Sequence, residues 1–201
     1  MNTSAERSLV PARSGLTRRR LVGGAGAGLL GLAAGRSQAA APRGLVLPRQ
    51  AAPNWPVTDT GGRSVSLARR LRGQVSAVQL MFAGCTTTCP VQGAIFAEVA
   101  RQLPAADIRL LSLTVDPLGD GPRQLGSWLE RFGRHARWDA AAPRPQDVDP
   151  LAEFLRGVPP ARGSHSTQVF LFDREARLAF RTLDMPSPAH VVDLLDQLAR
   201  A

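Results

Sequence analysis

Apolar residues recur along this chain with two different periods, and their succession sets an order of elements. The run Val75 to Phe82 is nearly continuous in apolar side chains and does not alternate, which predicts a strand buried on both faces. Val91, Ile95, Val99 and Leu103 then recur every fourth residue behind Pro90. Proline's missing N–H costs nothing at a helix start, so a helix of about three turns is expected directly after Cys89. Ile108 to Val115 predicts a second buried strand. Leu125, Trp128, Leu129 and Phe132 share one helical face behind Asp120-Gly121-Pro122, and Leu151, Phe154 and Leu155 do so behind Asp149-Pro150, with Gly157 as the stop. Thr167 to Phe172 predicts a third core strand, which Asp173 to Ala176 turns into Arg177 to Arg181. Ser187-Pro188 opens a last helix carrying Val191, Leu194, Leu195 and Leu198. Upstream, Trp55 to Thr58 and Arg63 to Leu67 flank Asp59-Thr60-Gly61-Gly62 and predict a β-hairpin.

Helices between apolar strands imply crossovers onto a central sheet. The expected fold is therefore α/β: a central mixed sheet flanked by helices, with an N-terminal β-hairpin. A cysteine pair between the first core strand and its helix makes the arrangement thioredoxin-like.

The first 39 residues read as an address. Arginines at 18, 19 and 20 precede the uncharged apolar run Leu21 to Gly35, and Ser37-Gln38-Ala39 supplies small residues for cleavage. The arginine pair points to a twin-arginine-type signal peptide. A membrane span needs roughly 18 or more apolar residues, so the mature chain is not expected to span a membrane. Residues 40–53, rich in Ala, Pro and Arg, read as a linker to a domain over 54–201. The expected location is exported, in the periplasm or at the outer face of the cytoplasmic membrane. The full chain carries 25 basic and 16 acidic residues, but six of the basic ones and one acid lie in residues 1–39. The remaining arginines are scattered among acids, which argues against a nucleic-acid partner.

The only two cysteines lie together in Phe82-Ala83-Gly84-Cys85-Thr86-Thr87-Thr88-Cys89-Pro90. As a disulfide the pair would close a very short loop, worth about 2 kcal/mol against about 4.7 for a loop of 100 residues. A functional pair explains the placement better. Cys89 stands at the expected helix start, where the partial positive charge is expected to lower its pKa, and Cys85 is expected to be free to swing. Three intervening residues widen the bite relative to Cys-x-x-Cys and suit a metal. Soft thiolates select Cu(I), imidazole also suits copper, and structural zinc wants four ligands. Of the three histidines, His135 lies in an arginine-rich turn and His190 one turn into the last helix, so both read as structural or solvated. His165 precedes a core strand, and in a thioredoxin-like sheet that loop lies against the cysteine loop. Cys85, Cys89 and His165 are therefore the candidate copper ligands.

The segments Phe82 to Pro90, Ser112-Leu113-Thr114-Val115-Asp116-Pro117 and His165 to Asp173 together resemble the Sco/SenC family. The resemblance covers roughly Trp55 to the C-terminus. It implies a thioredoxin-like, exported or membrane-anchored protein that helps build the binuclear copper centre of cytochrome c oxidase. It implies copper, as Cu(I) or Cu(II), on the residues matching Cys85, Cys89 and His165, with Asp116 nearby as a modulator or as a strand-end cap. The implied partners are the copper-site subunit of cytochrome c oxidase or another cuproprotein, and a periplasmic thiol reductant. Relatives often carry an acid where this chain has Ser164, and some carry an acidic loop where it has the short stretch Gly157 to Gly163. The alternative is a thiol–disulfide oxidoreductase that uses Cys85 and Cys89 to reduce a copper-site client. A peroxide-scavenging relative would want an arginine in the cysteine loop, and none is there.

Overall fold

The strand Val75–Met81 is buried at every residue. It can be so only because strands cover both its edges and helices both its faces. The computed structural model describes residues 44–103, 105–159 and 166–201. The expected signal peptide, residues 40–43 of the expected linker, and His165 lie outside the described residues. The strands are β1 (Leu45–Ala51), β2 (Pro56–Asp59), β3 (Ser64–Ser66), β4 (Val75–Met81), β5 (Ile108–Thr114), β6 (Trp138–Pro143), β7 (Val169–Phe172) and β8 (Arg177–Arg181). They form one sheet in the order β1-β8-β7-β4-β5-β6-β2-β3. β4 runs parallel to β5, and β5 to β6; every other pairing is antiparallel. The sheet is thus mixed, as expected.

Alternate residues of each strand feed two cores, as a period of two requires. One face carries Val75, Ala77 and Met81 of β4 with Ile108, Leu110, Trp138 and Leu171. It is covered by α2 (Thr88–Gln102), α3 (Pro122–Arg131) and α5 (Pro188–Arg200). The other carries Val78, Leu80, Leu111, Leu113, Phe170 and Phe172 under Leu67 and Leu71 of α1 (Leu67–Leu71) and Leu151 and Leu155 of α4 (Val148–Arg156). A buried polar cluster interrupts the first face: Gln79 Nε2 and Trp138 Nε1 both donate to Ser112 Oγ, at 2.8 and 2.9 Å. The helix signals act as read. Ser187 Oγ accepts the His190 N–H at 3.3 Å, and Gly157 ends α4 at φ 76°.

Four details differ from the expectation. Leu45–Ala51 falls inside the expected linker yet forms an edge strand, paired with β8. Only Val46 of that strand is buried, so no alternation betrayed it, and Pro48 and Arg49 suit an unpaired edge. β6, with the sequence Trp-Asp-Ala-Ala-Ala-Pro, is weak in strand formers but lies between β5 and β2. Leu67, read as the end of the hairpin, instead opens the short helix α1, which Ser66 caps. Finally, α2 begins at Thr88 and presents Gln92, Gly93, Phe96, Ala97, Val99 and Ala100 to the core, while Val91 is 50% exposed. The four-residue ladder had selected a neighbouring face, because glycine and alanine contact surfaces are invisible to a search for large apolar residues.

Candidate metal centre

β4 ends at Met81, and the next eight residues deliver both thiols to the start of α2. Cys89 sits in the first turn of that helix and is buried among the core side chains of the first face. Cys85 lies in the loop ahead of it; it too is buried, and both cysteines are free thiols. The Cys89 N–H, one of the unpaired donors of the helix start, points at Cys85 Sγ from 3.5 Å. Thr87 Oγ1 and Thr88 Oγ1 stand 3.7 and 4.0 Å from the same sulfur. The helix start therefore acts on Cys85.

The two thiols are split in consequence. Burial works against ionising Cys85, but hydrogen bonds from the backbones of Cys89 and Thr87, then from their side chains, outweigh it and lower the pKa from 9.0 to about 6. For Cys89 burial dominates. Hydrogen bonding and negative charge from Cys85 add to it, and the Cys89 pKa rises to about 11. This corrects the sequence expectation on both points. The helix lowers Cys85 rather than Cys89, and Cys85 is held rather than free to swing. The reason is geometric: a residue inside the first turn lends its N–H to the sulfur before it, while its own side chain turns back into the core.

The cysteine loop is pinned from the side by a residue that sequence reasoning passed over. Asp120, only 4% exposed, accepts the Ala83 N–H at 2.8 Å and the Thr114 hydroxyl at 2.6 Å through one carboxylate oxygen. It thereby ties the loop after β4 to the end of β5. The sequence had been read there only as a helix start. Asp116, the residue singled out for a modulating role, is exposed at the end of β5. Its Oδ1 accepts the Gly119 N–H at 3.1 Å, and its carbonyl accepts the Asp120 N–H at 2.9 Å. These bonds close a turn at the strand end.

The chain entering β7 approaches the same end of the sheet, since β7 is antiparallel to β4. Gln92, one turn into α2 from Cys89, donates to the Gln168 carbonyl at 3.4 Å. Asp184 fixes the same segment by accepting from the N–H and hydroxyl of Thr167, at 3.1 and 2.8 Å. Gln168 is three residues beyond His165, a span of at most ~11 Å. His135 and His190 do not join the thiols. Among the described residues, no group of three or more His, Cys, Asp and Glu side chains is placed to hold a metal ion. The described thiols thus supply two soft donors on one short loop, which fits a soft cation such as Cu(I) that accepts few ligands.

A mixed sheet with a thiol pair between a core strand and the first turn of its helix defines a thioredoxin-like protein. The sequence model of the SCO1/SenC family matches residues 47–200, and the chain belongs to that family. The SCO1 protein homolog of Bacillus subtilis is 34% identical over 73 residues, covering 35% of this chain and 37% of that relative. The match therefore spans little more than a third of it. Among solved structures, yeast Sco1 with copper bound superposes at a TM-score of 0.63 with 19% identity, covering 76% of this chain and 90% of that one. BsSco, a member of the Sco family of cytochrome c oxidase assembly proteins in which a disulfide switch was identified, gives 0.65 and 18%, covering 78% and 98%. At these identities the likeness establishes the fold.

Proposed function

We propose that the chain is an exported metallochaperone that binds copper as cargo on Cys85, Cys89 and His165 and delivers it to the binuclear copper site of cytochrome c oxidase, or helps assemble that site. The observation that carries the reading is the split thiol pair. Cys85, lowered to about 6, is a thiolate at neutral pH and offers an anionic soft ligand before any metal arrives. Cys89 holds its proton and gives it up on coordination. The Gln92–Gln168 hydrogen bond keeps the end of the His165-bearing loop beside α2. Membership of the SCO1/SenC family and the copper-bound state of yeast Sco1 support the cargo. The arginine-led N-terminal segment supports export by the twin-arginine route, with residence in the periplasm or at the outer face of the membrane. Among the described residues no helix is long and apolar enough to cross a membrane.

The same split favours a second reading, in which Cys85 and Cys89 reduce a disulfide of a copper-site client, become a disulfide themselves, and are returned to thiols by a periplasmic thiol reductant. The Cys85 thiolate attacks the client disulfide and releases one client thiol, and Cys89, on losing its proton, then attacks Cys85 and releases the second. Cu(I) titration of the reduced protein against a competing chelator separates the two. Metal delivery requires tight one-to-one binding that weakens in His165→Ala by at least the roughly tenfold that loss of even an outer-shell partner of a ligand costs. Binding that is weak and indifferent to His165→Ala would leave the exchange reading alone.

A further inference from the structure

At the end of the sheet remote from the thiols, a cavity of about 380 Å³ opens between α1 and the beginnings of β4, β5 and β6. Its lining includes Arg69, Arg70, Arg109 and Arg137 against one carboxylate, Asp139, together with Ser76. Arg70 is already engaged, pairing with Asp139 and lying 3.6 Å from Asp59. The other nearby carboxylate, Asp107, is held by Arg174 at 2.7 Å. Arg69, Arg109 and Arg137 have no salt-bridge partner among the described residues. Arg109 and Arg137 are oriented by main-chain carbonyls instead. Arg109 donates to the carbonyls of Ala106 and Ile108 at 2.6 and 3.1 Å, and Arg137 to those of Ala105 and Leu103 at 2.7 and 3.3 Å. Each guanidinium has five N–H donors, so both keep donors to spare.

Ser76 lies beneath the arginines. It is fully buried, it stands opposite Arg109 in the β4–β5 register, and its hydroxyl has no hydrogen-bond partner. A buried hydroxyl left without a partner costs about 1–3 kcal/mol. Ser76 contributes to the floor of the cavity, with its hydroxyl closed to solvent.

We propose that this cavity is a binding site for a phosphate group, carried either by a small soluble phosphate ester or by the headgroup of an anionic phospholipid. The excess of guanidinium groups over carboxylates suits a multiply charged oxyanion, and the planar fork of arginine matches phosphate oxygens two at a time. The volume lies within the range of small-ligand pockets, about 300–1,000 Å³, so a phosphate with a glycerol-sized substituent fits. Ser76 is the second residue of β4, and the thiols follow its last, so the two sites lie at opposite ends of one strand. Occupation of this site leaves the thiol end open to a partner.

The test uses the reduced full-length protein. Inorganic phosphate and glycerol 3-phosphate are titrated by calorimetry, and phosphatidylglycerol or phosphatidylcholine vesicles are tested by co-sedimentation. Saturable one-to-one binding is expected, weakened about tenfold or more in Arg69→Ala or Arg109→Ala, the scale of one charge-assisted hydrogen bond. Arg123→Ala on α3, which removes the same charge at the other end of the sheet, is expected to leave it unchanged. Arg69 is exposed, so its variant keeps the test alive if Arg109→Ala fails to fold. Binding of the small esters alone assigns a soluble ligand. Selective binding of phosphatidylglycerol vesicles with the same variant pattern assigns a lipid headgroup. No saturable binding of any probe, or equal losses in Arg69→Ala and Arg123→Ala, would overturn the proposal.

Discussion

The split between the thiols fixes which of them reacts first, and by how much. At pH 7 a thiol of pKa about 6 is roughly nine-tenths thiolate, while one of pKa about 11 is ionised about one part in ten thousand. Intrinsic nucleophilicity works the other way, rising with pKa on a Brønsted slope of about 0.4–0.5, which returns about two of those four decades. Cys85 is therefore expected to react about fifty-fold faster than Cys89. Both are similarly buried, at 5% and 3% exposure, so access does not reverse the ranking. The assay is site-resolved alkylation of the reduced protein by iodoacetamide, read by mass spectrometry between pH 4.5 and 9. The Cys85 rate should climb to a plateau with a midpoint near 6. A midpoint near 8.5 at Cys85, or faster labelling of Cys89, would refute the argument that the α2 N-terminus holds the Cys85 sulfur. The same shift couples to folding. The folded Cys85 binds its proton less readily than the unfolded one. Its contribution to stability is thus complete above the unfolded thiol pKa and lost as pH falls through about 6.

Further outcomes follow from individual contacts. Asp120→Ala strips the acceptor from two buried donors, at Ala83 and Thr114, and should cost about 2–4 kcal/mol by urea denaturation, with faster alkylation of Cys85 as the loop loosens. Gly93→Ala should be destabilising by about 1–2 kcal/mol despite the gain in helix propensity. A Cβ there would meet the Phe132 ring at 2.4 Å, and that ring is held at 4.9 Å from Trp128 and 5.9 Å from Trp138; a neutral or raised midpoint would show that Phe132 can yield. If copper is the cargo, calorimetry of Cu(I) binding in buffers of different ionisation enthalpy should count about one proton released by the thiols at pH 7, from Cys89, and two below pH 6. Release of two at pH 7 would mean that Cys85 is protonated there.

Most of the sheet was legible because its central strands are apolar on both faces, and a run such as Val75 to Met81 has few other uses. What the sequence concealed shares one cause: those segments are held by neighbours rather than by their own side chains. β1 buries a single residue and survives on its backbone pairing with β8, and β6 is largely alanine between two partners. The cysteine loop was legible as the candidate site because thiols four residues apart stand out in any sequence. Which thiol ionises was not, because the answer depends on whether α2 begins just before Cys89 or just after it, a difference of one or two residues. Asp120 was missed for a related reason. A carboxylate ahead of Gly-Pro looks like a helix start, and only the tertiary fold shows it reaching Ala83.

The antiparallel seat of β7 has a consequence for assembly of the chain. The loop bearing Cys85 and the first turn bearing Cys89 can form as soon as β4 and α2 exist, since they are neighbours in sequence. The segment after His165 reaches them only when β7 docks on β4, a pairing such as Ser76 with Phe172 between residues about a hundred positions apart. Under the proposed reading, a half-made molecule offers copper two sulfurs, and only a finished one offers the nitrogen. Full-strength metal binding would then act as a certificate of folding, withheld until the last third of the polypeptide is in place.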